Sequence, residues 1–336
     1  MTEVTLSCFS GFTCIAGRCP DTCCVGWEVD LDEATLERYR QLPGPLGQEL
    51  RAAICQEDGD SFFALKDGAC PFLSHDRLCR LILAQGDGIL SVTCREHPRF
   101  WEEYGSRRET CLSISCPEAA RLLLERPLEP VVCETPEVVP EDPELDPAFF
   151  QQLLVYRSAL FVLSRSTLPL SQKFSLALDA ADNGIALPTD GTLPKDFWQG
   201  VPAPPLTLPL PAYLRAMEHM EFTRSQLPEL LRRHRACPHP MFWDIPEYQE
   251  AGGRLLFYFF YRYVLRGVWS GLVAEKVRFS VFSTAAILAL SEYMDAPAPA
   301  RRILDAAVLY SREAEHSPEN LDLLYEHLCS ASDEYS

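Results

Sequence analysis

The sequence predicts a mainly α protein in two parts, a cysteine-rich front part of short helices with minor β and an all-α rear part. Three observations carry this. Of the 14 cysteines, eleven fall within the first 116 of 336 residues. Glu134 to Asp146 then carries six acids, three prolines and no base, a composition that stays extended and solvated. Beyond it, apolar residues recur at spacings of three and four, as one buried helix face requires. The expected organisation is a cysteine-rich domain over residues 1–130, an acidic linker over 131–147 and a helical domain over 148–336.

The rear elements can be read in order. Phe149, Leu153, Tyr156, Leu160 and Leu163 mark the first helix. The second begins near Ser171 and stops at Asn183-Gly184, a pair suited to a left-handed cap. Seven prolines make Leu187 to Pro211 a loop. Helices are expected over Tyr213–Arg235, Gly253–Gly267, Val277–Tyr293 and Arg301–Arg312. The last helix is capped by Ser317, has Pro318 at its first position, and buries Leu321, Leu324, Tyr325 and Leu328. The run Leu255–Tyr261 with Tyr263 is apolar on most of its circumference and reads as a central core helix rather than a stacking surface for a cofactor. His219, His234, His239, His316 and His327 lack the i, i+4 spacing of a helical metal pair and read as surface or satisfied core residues.

Composition excludes several classes. With 47% hydrophobic and 23% charged residues the chain is neither disordered nor fibrous. A formal charge of -18 repels phosphate backbones and anionic lipid, so nucleic acid is not an expected partner, whereas a basic or lysine-bearing protein is electrostatically welcome. No apolar run approaches the roughly 20 residues of a membrane span. The N-terminus lacks the basic and apolar regions of a signal peptide, so a cytoplasmic location with reduced thiols is expected.

The front part carries the chemistry. Cys14, Cys19, Cys23 and Cys24 lie within eleven residues interrupted by Gly17, Pro20 and Gly26, a loop able to fold around a soft metal. Adjacent Cys23 and Cys24 cannot easily bridge each other. Further thiols stand at Cys70-Pro71, Cys79-Arg80, Cys94-Arg95 and Cys116-Pro117. Pro117 can open a helix, which would leave the Cys116 thiol at its positive end, where thiolate is favoured. Structural zinc remains open, but four-cysteine zinc sites usually come as two C-x2-C knuckles, and this chain has none. More than four thiols at C-x4-C-x3-CC spacing suit an iron-sulfur cluster at least as well. No C-x3-C-x2-C triplet of radical S-adenosylmethionine enzymes is present.

The pattern C-x4-C-x3-CC-x2-W at Cys14 to Trp27, CPFL at Cys70 to Leu73, LCR at Leu78 to Arg80, CRxxPR at Cys94 to Arg99 and LSxSCPEAARLLL at Leu112 to Leu124 resembles the bacterial flagellin lysine-N-methylase family, within a wider group of zinc- or iron-chelating domains rich in CxxCxxCC-type motifs. The likeness covers about residues 8 to 126. His97, where tyrosine is expected, and the additional Cys111 depart from it. The resemblance implies a methyltransferase that moves a methyl group from S-adenosylmethionine to lysine ε-amines of flagellin or a similar surface protein of the bacterial flagellum. It also implies a cysteine-rich metal-binding domain holding a [4Fe-4S] cluster, with zinc as the alternative. The ligand set it implies is drawn from Cys14, Cys19, Cys23, Cys24, Cys70, Cys79, Cys94 and Cys116. For the donor, Arg95 and Arg99 are candidates to clamp its carboxylate and Trp27 to face its sulfonium; an ion pair with Glu96, Glu102 or Glu103 is the competing role for the arginines. No catalytic base is singled out. The glycine-rich turn of the common donor-binding fold is absent, since Gly86-Asp87-Gly88 lacks a preceding apolar strand and a third glycine. The rival reading is a non-catalytic zinc- or iron-binding protein or a redox iron-sulfur module.

Overall fold

The computed structural model describes residues 1–57, 59–137, 142–188, 191–241 and 243–334. Part of the expected linker, residues 138–141, and part of the proline-rich loop, residues 189–190, lie outside them. The chain is mainly helical. Its front part contains β1 (Thr2–Leu6), α1 (Glu33–Gln41), α2 (Gly44–Ala53), β2 (Ile54–Glu57), β3 (Asp60–Phe63), α3 (Arg80–Gln85), α4 (Val92–Glu96), β4 (Arg99–Tyr104), β5 (Arg107–Leu112), α5 (Pro117–Glu125) and β6 (Pro130–Glu134). Its rear part contains α6 (Pro147–Arg165), α7 (Leu170–Asn183), α8 (Leu210–Met217), α9 (Gln226–Ala236), α10 (Pro246–Tyr263), α11 (Gly267–Ser270), α12 (Val273–Ser291), α13 (Pro299–Tyr310), a π-helical turn at Ser311–Glu315, and α14 (Pro318–Glu334).

The strands form a four-stranded sheet in the order β4-β5-β1-β6 and a separate β2-β3 ribbon. β1 runs parallel to β5, with Val4 opposite Glu109, and antiparallel to β6. β4 and β5 make a hairpin whose two-residue turn needs Gly105 at φ +57°, where a side chain would be strained and would press on Leu145. β6 starts at Pro130, so the residues just after the cysteine-rich stretch complete the sheet before the acidic segment begins.

Two hydrophobic cores result. The small one lies entirely in the front part, where Leu31, Leu36, Tyr39, Leu50, Phe63, Phe72, Leu81, Ile89 and Leu90 pack together. The large one unites the sheet with the helices: Val4, Leu6, Tyr104 and Cys111 join the buried faces of α5, α6, α10, α12 and α13. As its composition requires, α10 is central, with Leu255 to Tyr263 all buried. Cys111, the extra thiol, is 2% exposed and is part of this core.

Polar bolts cross between the parts. Glu109 on β5 and Arg157 on α6 form a buried bidentate pair at 2.6 and 2.7 Å, with Arg107 also on Glu109 at 2.7 Å. The Tyr261 hydroxyl donates to the carbonyls of Val4 and Thr110. Burial pushes the Glu109 carboxyl upward, but Arg157 and Arg107 outweigh it and hold it below its ordinary range.

Several helix ends follow the expected chemistry. Gly184, at φ +76°, ends α7. The Ser317 hydroxyl accepts the N–H of Asn320 at the start of α14. The expected single helix over Tyr213–Arg235 is two, α8 and α9. Arg224 lies in the segment between them and reaches back to the cysteine-rich part.

Candidate functional site

The cysteine loop is tied to the rear part by one carboxylate. Asp21 receives Arg224 at 3.0 Å and Arg312 at 2.5 Å, and Arg224 also donates to the carbonyl of Val25. Burial alone would raise the Asp21 carboxyl, but Arg312, the Thr22 N–H and Arg224 together hold it below the usual carboxylate range. Arg312 comes from the π-helical turn, and its Nε donates to the carbonyl of Ser115. The same turn sends Glu313 to the N–H and hydroxyl of Thr223, and Glu315 to Tyr263 at 2.7 Å and Arg262 at 2.9 Å. Glu315 is wholly buried and its Oε1 lacks a hydrogen-bond partner. Such turns concentrate at functional sites, and this one aims three charges in three directions.

Between the parts lies a cavity of about 90 Å³, lined by Cys23, Val25, Trp27, His97, Arg312 and His316 among others. The Trp27 ring stands 6.0 Å from His97 and 6.5 Å from His316, and its Nε1 donates to the carbonyl of Cys23. His316 Nε2 lies 2.8 Å from the Ser113 hydroxyl and 3.0 Å from that of Ser115. His316 is open to the cavity yet deep within the surrounding protein. Burial, with Arg262, His97 and Arg312 nearby, lowers its pKa to about 3; burial and Arg312 lower that of His97 to about 4. Both imidazoles are therefore neutral at physiological pH. At about 90 Å³ the cavity suits a slender side chain rather than a drug-sized ligand, which needs roughly 300–1,000 Å³. A larger concavity of about 820 Å³ lies at the far end of α5, lined by Arg165, Lys173, Arg254 and Phe257. It holds none of the cysteines.

Of the predicted thiols, Cys23 lines the small cavity. None of the cysteines forms a disulfide. Cys24, Cys70, Cys79 and Cys94 stand within electrostatic range of one another in every pairing. The Cys70 N–H donates to the carbonyl of Cys24 at 2.8 Å, Cys79 bridges to Leu73, and Cys70, Cys79 and Cys94 all pack on the small core. Cys14, Cys19 and Cys116 form a second group in mutual range, and Cys23 is in range of Cys14. The Cys14 sulfur accepts the Ala16 N–H at 3.4 Å. Cys116 stands at the head of α5 as expected, but burial raises its thiol, so the expected preference for thiolate is not met.

Among the described residues, no group of three or more His, Cys, Asp or Glu side chains is placed to hold a metal ion. Burial, with the neighbouring thiols, pushes the Cys70 thiol up to about 11 and that of Cys94 up to about 12. In the adjacent pair, Cys23 donates to Cys24, whose pKa falls to about 7.

The other candidates are placed differently. Trp27 lines the cavity, but Arg95 pairs with Glu96 at 3.2 Å and Arg99 lies over the Phe12 ring at 5.2 Å, and neither lines that cavity. The sequence reading passed over Asp21, Ser113, Ser115, Arg312 and His316. Only the tight succession Arg312, Glu313, Glu315 and His316 hints at them, because an interrupted helix leaves little trace in periodicity.

Comparison with known proteins places similarity in about a third of the chain. Over 123 residues, 34% of this chain, it is 30% identical to flagellar biosynthetic protein FliU of Salmonella muenchen, covering 73% of that protein. The identity is also 30% over 123 residues to lysine-N-methylase of Salmonella typhimurium and of Salmonella choleraesuis, where the aligned stretch spans 31% of their length. No family model matches the chain, and no solved structure matches it.

Proposed function

Since the chain belongs to the flagellar lysine methylase family of FliU and lysine-N-methylase, we propose that it is a protein-lysine N-methyltransferase acting on flagellin or a similar surface protein. In this reading S-adenosylmethionine is the methyl donor, and a [4Fe-4S] cluster is held among Cys24, Cys70, Cys79 and Cys94. What supports it is the likeness to lysine-N-methylase, together with Cys24, Cys70, Cys79 and Cys94 standing in electrostatic range of one another and a side-chain-sized cavity walled by Trp27, His97, His316 and Cys23. A cluster held by three of these thiols would leave one iron free to anchor the donor's amino and carboxylate groups, the fourth thiol standing by.

The protein's own residues have three tasks. A lysine amine attacks only when neutral, and its ordinary pKa is about 10.4. The cavity counters ionisation by desolvation against Val25 and Trp27, while Arg224 and Arg312 in its lining are matched by Glu221 and Glu313. The neutral rings of His97 and His316 offer no charge that would hold an ammonium. Ser113 and Ser115 fix the His316 ring through its Nε2, so the wall is rigid. The ammonium proton leaves for solvent as the amine enters. The nitrogen lone pair then forms the N–C bond while the C–S bond of the sulfonium breaks to a neutral thioether, a transfer that chiefly demands alignment of the three atoms and exclusion of water.

The test is incubation of anaerobically purified protein with methyl-labelled S-adenosylmethionine and flagellin, read by mass spectrometry of lysine peptides. Label on lysine is the expected result. A protein that carries iron and acid-labile sulfide but leaves every lysine unlabelled would instead be a redox or metal-binding module.

A further inference from the structure

The larger concavity, at the far end of α5, is not used by the proposed reaction. At about 820 Å³ it lies within the roughly 300–1,000 Å³ of small-molecule sites. Two helix ends and the side of a third helix build it: Ser164 and Arg165 close α6, Lys173 stands in the first turn of α7, and Gly253, Arg254 and Phe257 face it from α10. Its cations are not alike. Arg165 is paired with Glu129 at 2.5 Å and Arg254 with Glu250 at 2.8 Å, and both acids are exposed. The remaining acid of the lining, Asp244, accepts the N–H and the hydroxyl of Ser171.

Lys173 is the lining cation left without a carboxylate. The residue is 4% exposed, and its amine donates to the Ser164 carbonyl at 3.0 Å, which uses one of three hydrogens. α10 makes room for this arrangement, since a β-carbon on Gly253 would stand 2.6 Å from the Ser164 oxygen and 3.3 Å from the Lys173 amine. Burial lowers the amine's pKa to about 8, so at pH 7 it is still mostly an ammonium, held in a dry wall without a counter-ion. The positive end of α7 adds to the local preference for negative charge.

We propose that this concavity binds a small organic anion, its acidic group on the Lys173 amine and its apolar body against Phe257, Leu168 and Pro169. An ammonium is a compact point charge, so a carboxylate, a sulfonate or a phosphate ester meets the same requirement. Capping the last carbonyls of α6 is the competing role of Lys173; it needs only the bond to Ser164 and calls for no ligand. The site stands apart from the cysteines, so the inference does not depend on methyl transfer.

The experiment is fluorescence titration of the full chain with anilinonaphthalene sulfonate and with phenylnaphthylamine, which has the same apolar body without the acid. The wild type is expected to bind the sulfonate more tightly than the uncharged dye. Lys173→Gln, which keeps a donor for Ser164, should weaken the sulfonate at least tenfold and leave the uncharged dye within twofold. The wild type supplies a second readout, because Lys173 is the one lining group that titrates between pH 7 and about pH 9.5; the carboxylates of Glu129, Asp244 and Glu250 stay charged, as do Arg165 and Arg254. A bound anion favours the ammonium, so sulfonate affinity should fall at least fivefold over that range while the uncharged dye holds steady. Sulfonate affinity unchanged in Lys173→Gln, or parallel to that of the uncharged dye through the pH series, would overturn the assignment. If the variant loses both dyes its concavity has closed, and the wild-type pH series decides. Sulfonate binding as expected, without lysine labelling, would sink the methylase reading alone.

Discussion

Replacing Arg157 by Met tests whether the sheet and the helices unfold as one body. The guanidinium and Glu109 are 3% and 4% exposed, so removing the cation strands a buried carboxylate. Breaking a buried pair in this way costs about 3–5 kcal/mol, and the low end applies because Arg107 remains at 2.7 Å. An unfolding entropy of about 2.1 cal/mol/K per residue over 336 residues is about 0.7 kcal/mol/K. The loss, about 3 kcal/mol, therefore lowers Tm by about 4 °C, read by calorimetry at pH 7. Glu109→Leu combined with Arg157→Met removes both charges and recovers much of the loss. The pair also sets a pH dependence. The folded Glu109 carboxyl lies below its unfolded value, so its contribution is complete above that value, about 4.3, and is lost as pH falls through the folded one. The Tm gap between wild type and Arg157→Met should therefore close on acidification below about pH 4. A gap under about 1 °C at pH 7, or two separated transitions in the wild type, would refute the picture of one cooperative body.

Other consequences are equally open to measurement. His316→Ala should lower lysine labelling at least tenfold while far-UV circular dichroism and metal content stay as in the wild type; unchanged labelling removes the small cavity from the reaction. Asp21→Asn releases Arg224 and Arg312 from the cysteine loop and should speed the reaction of the Cys14–Cys24 thiols with a disulfide reagent under anaerobic chelation, whereas an unchanged rate denies that tether. Ser317→Ala removes the cap of α14 and should cost about 0.5–2 kcal/mol; a Tm unchanged within error means that the cap is redundant.

The fold was legible where one physical rule dominates. The helix through Phe149–Leu163 and the stop at Gly184 follow from periodicity and a glycine cap, and the buried aromatic run of α10 from an apolar circumference. The sheet was less so, because β1, β5 and β6 are five or six residues long and their partners lie a hundred residues away, which no local pattern records. Spacing alone brings Cys14, Cys19, Cys23 and Cys24 near one another, whereas the approach of Cys70, Cys79 and Cys94 to Cys24 is a tertiary contact that no local pattern records. His316 read as a surface or satisfied core residue since its partners, Ser113 and Ser115, stand some two hundred positions earlier. Trp27 was named from the motif and does line the cavity, whereas the paired Arg95 illustrates how a nearby acid claims a guanidinium before any ligand can.

The π-helical turn at Ser311–Glu315 makes the length of the chain there as important as its chemistry. Each residue advances an α-helix by about 100°, so deleting one residue to restore regular winding would swing His316 and its successors by roughly that angle about the helix axis. The imidazole would leave its serines, and α14 would begin on the wrong face. An engineer can exchange side chains in this turn singly, but a shortened register is expected to erase the pocket wall as a whole.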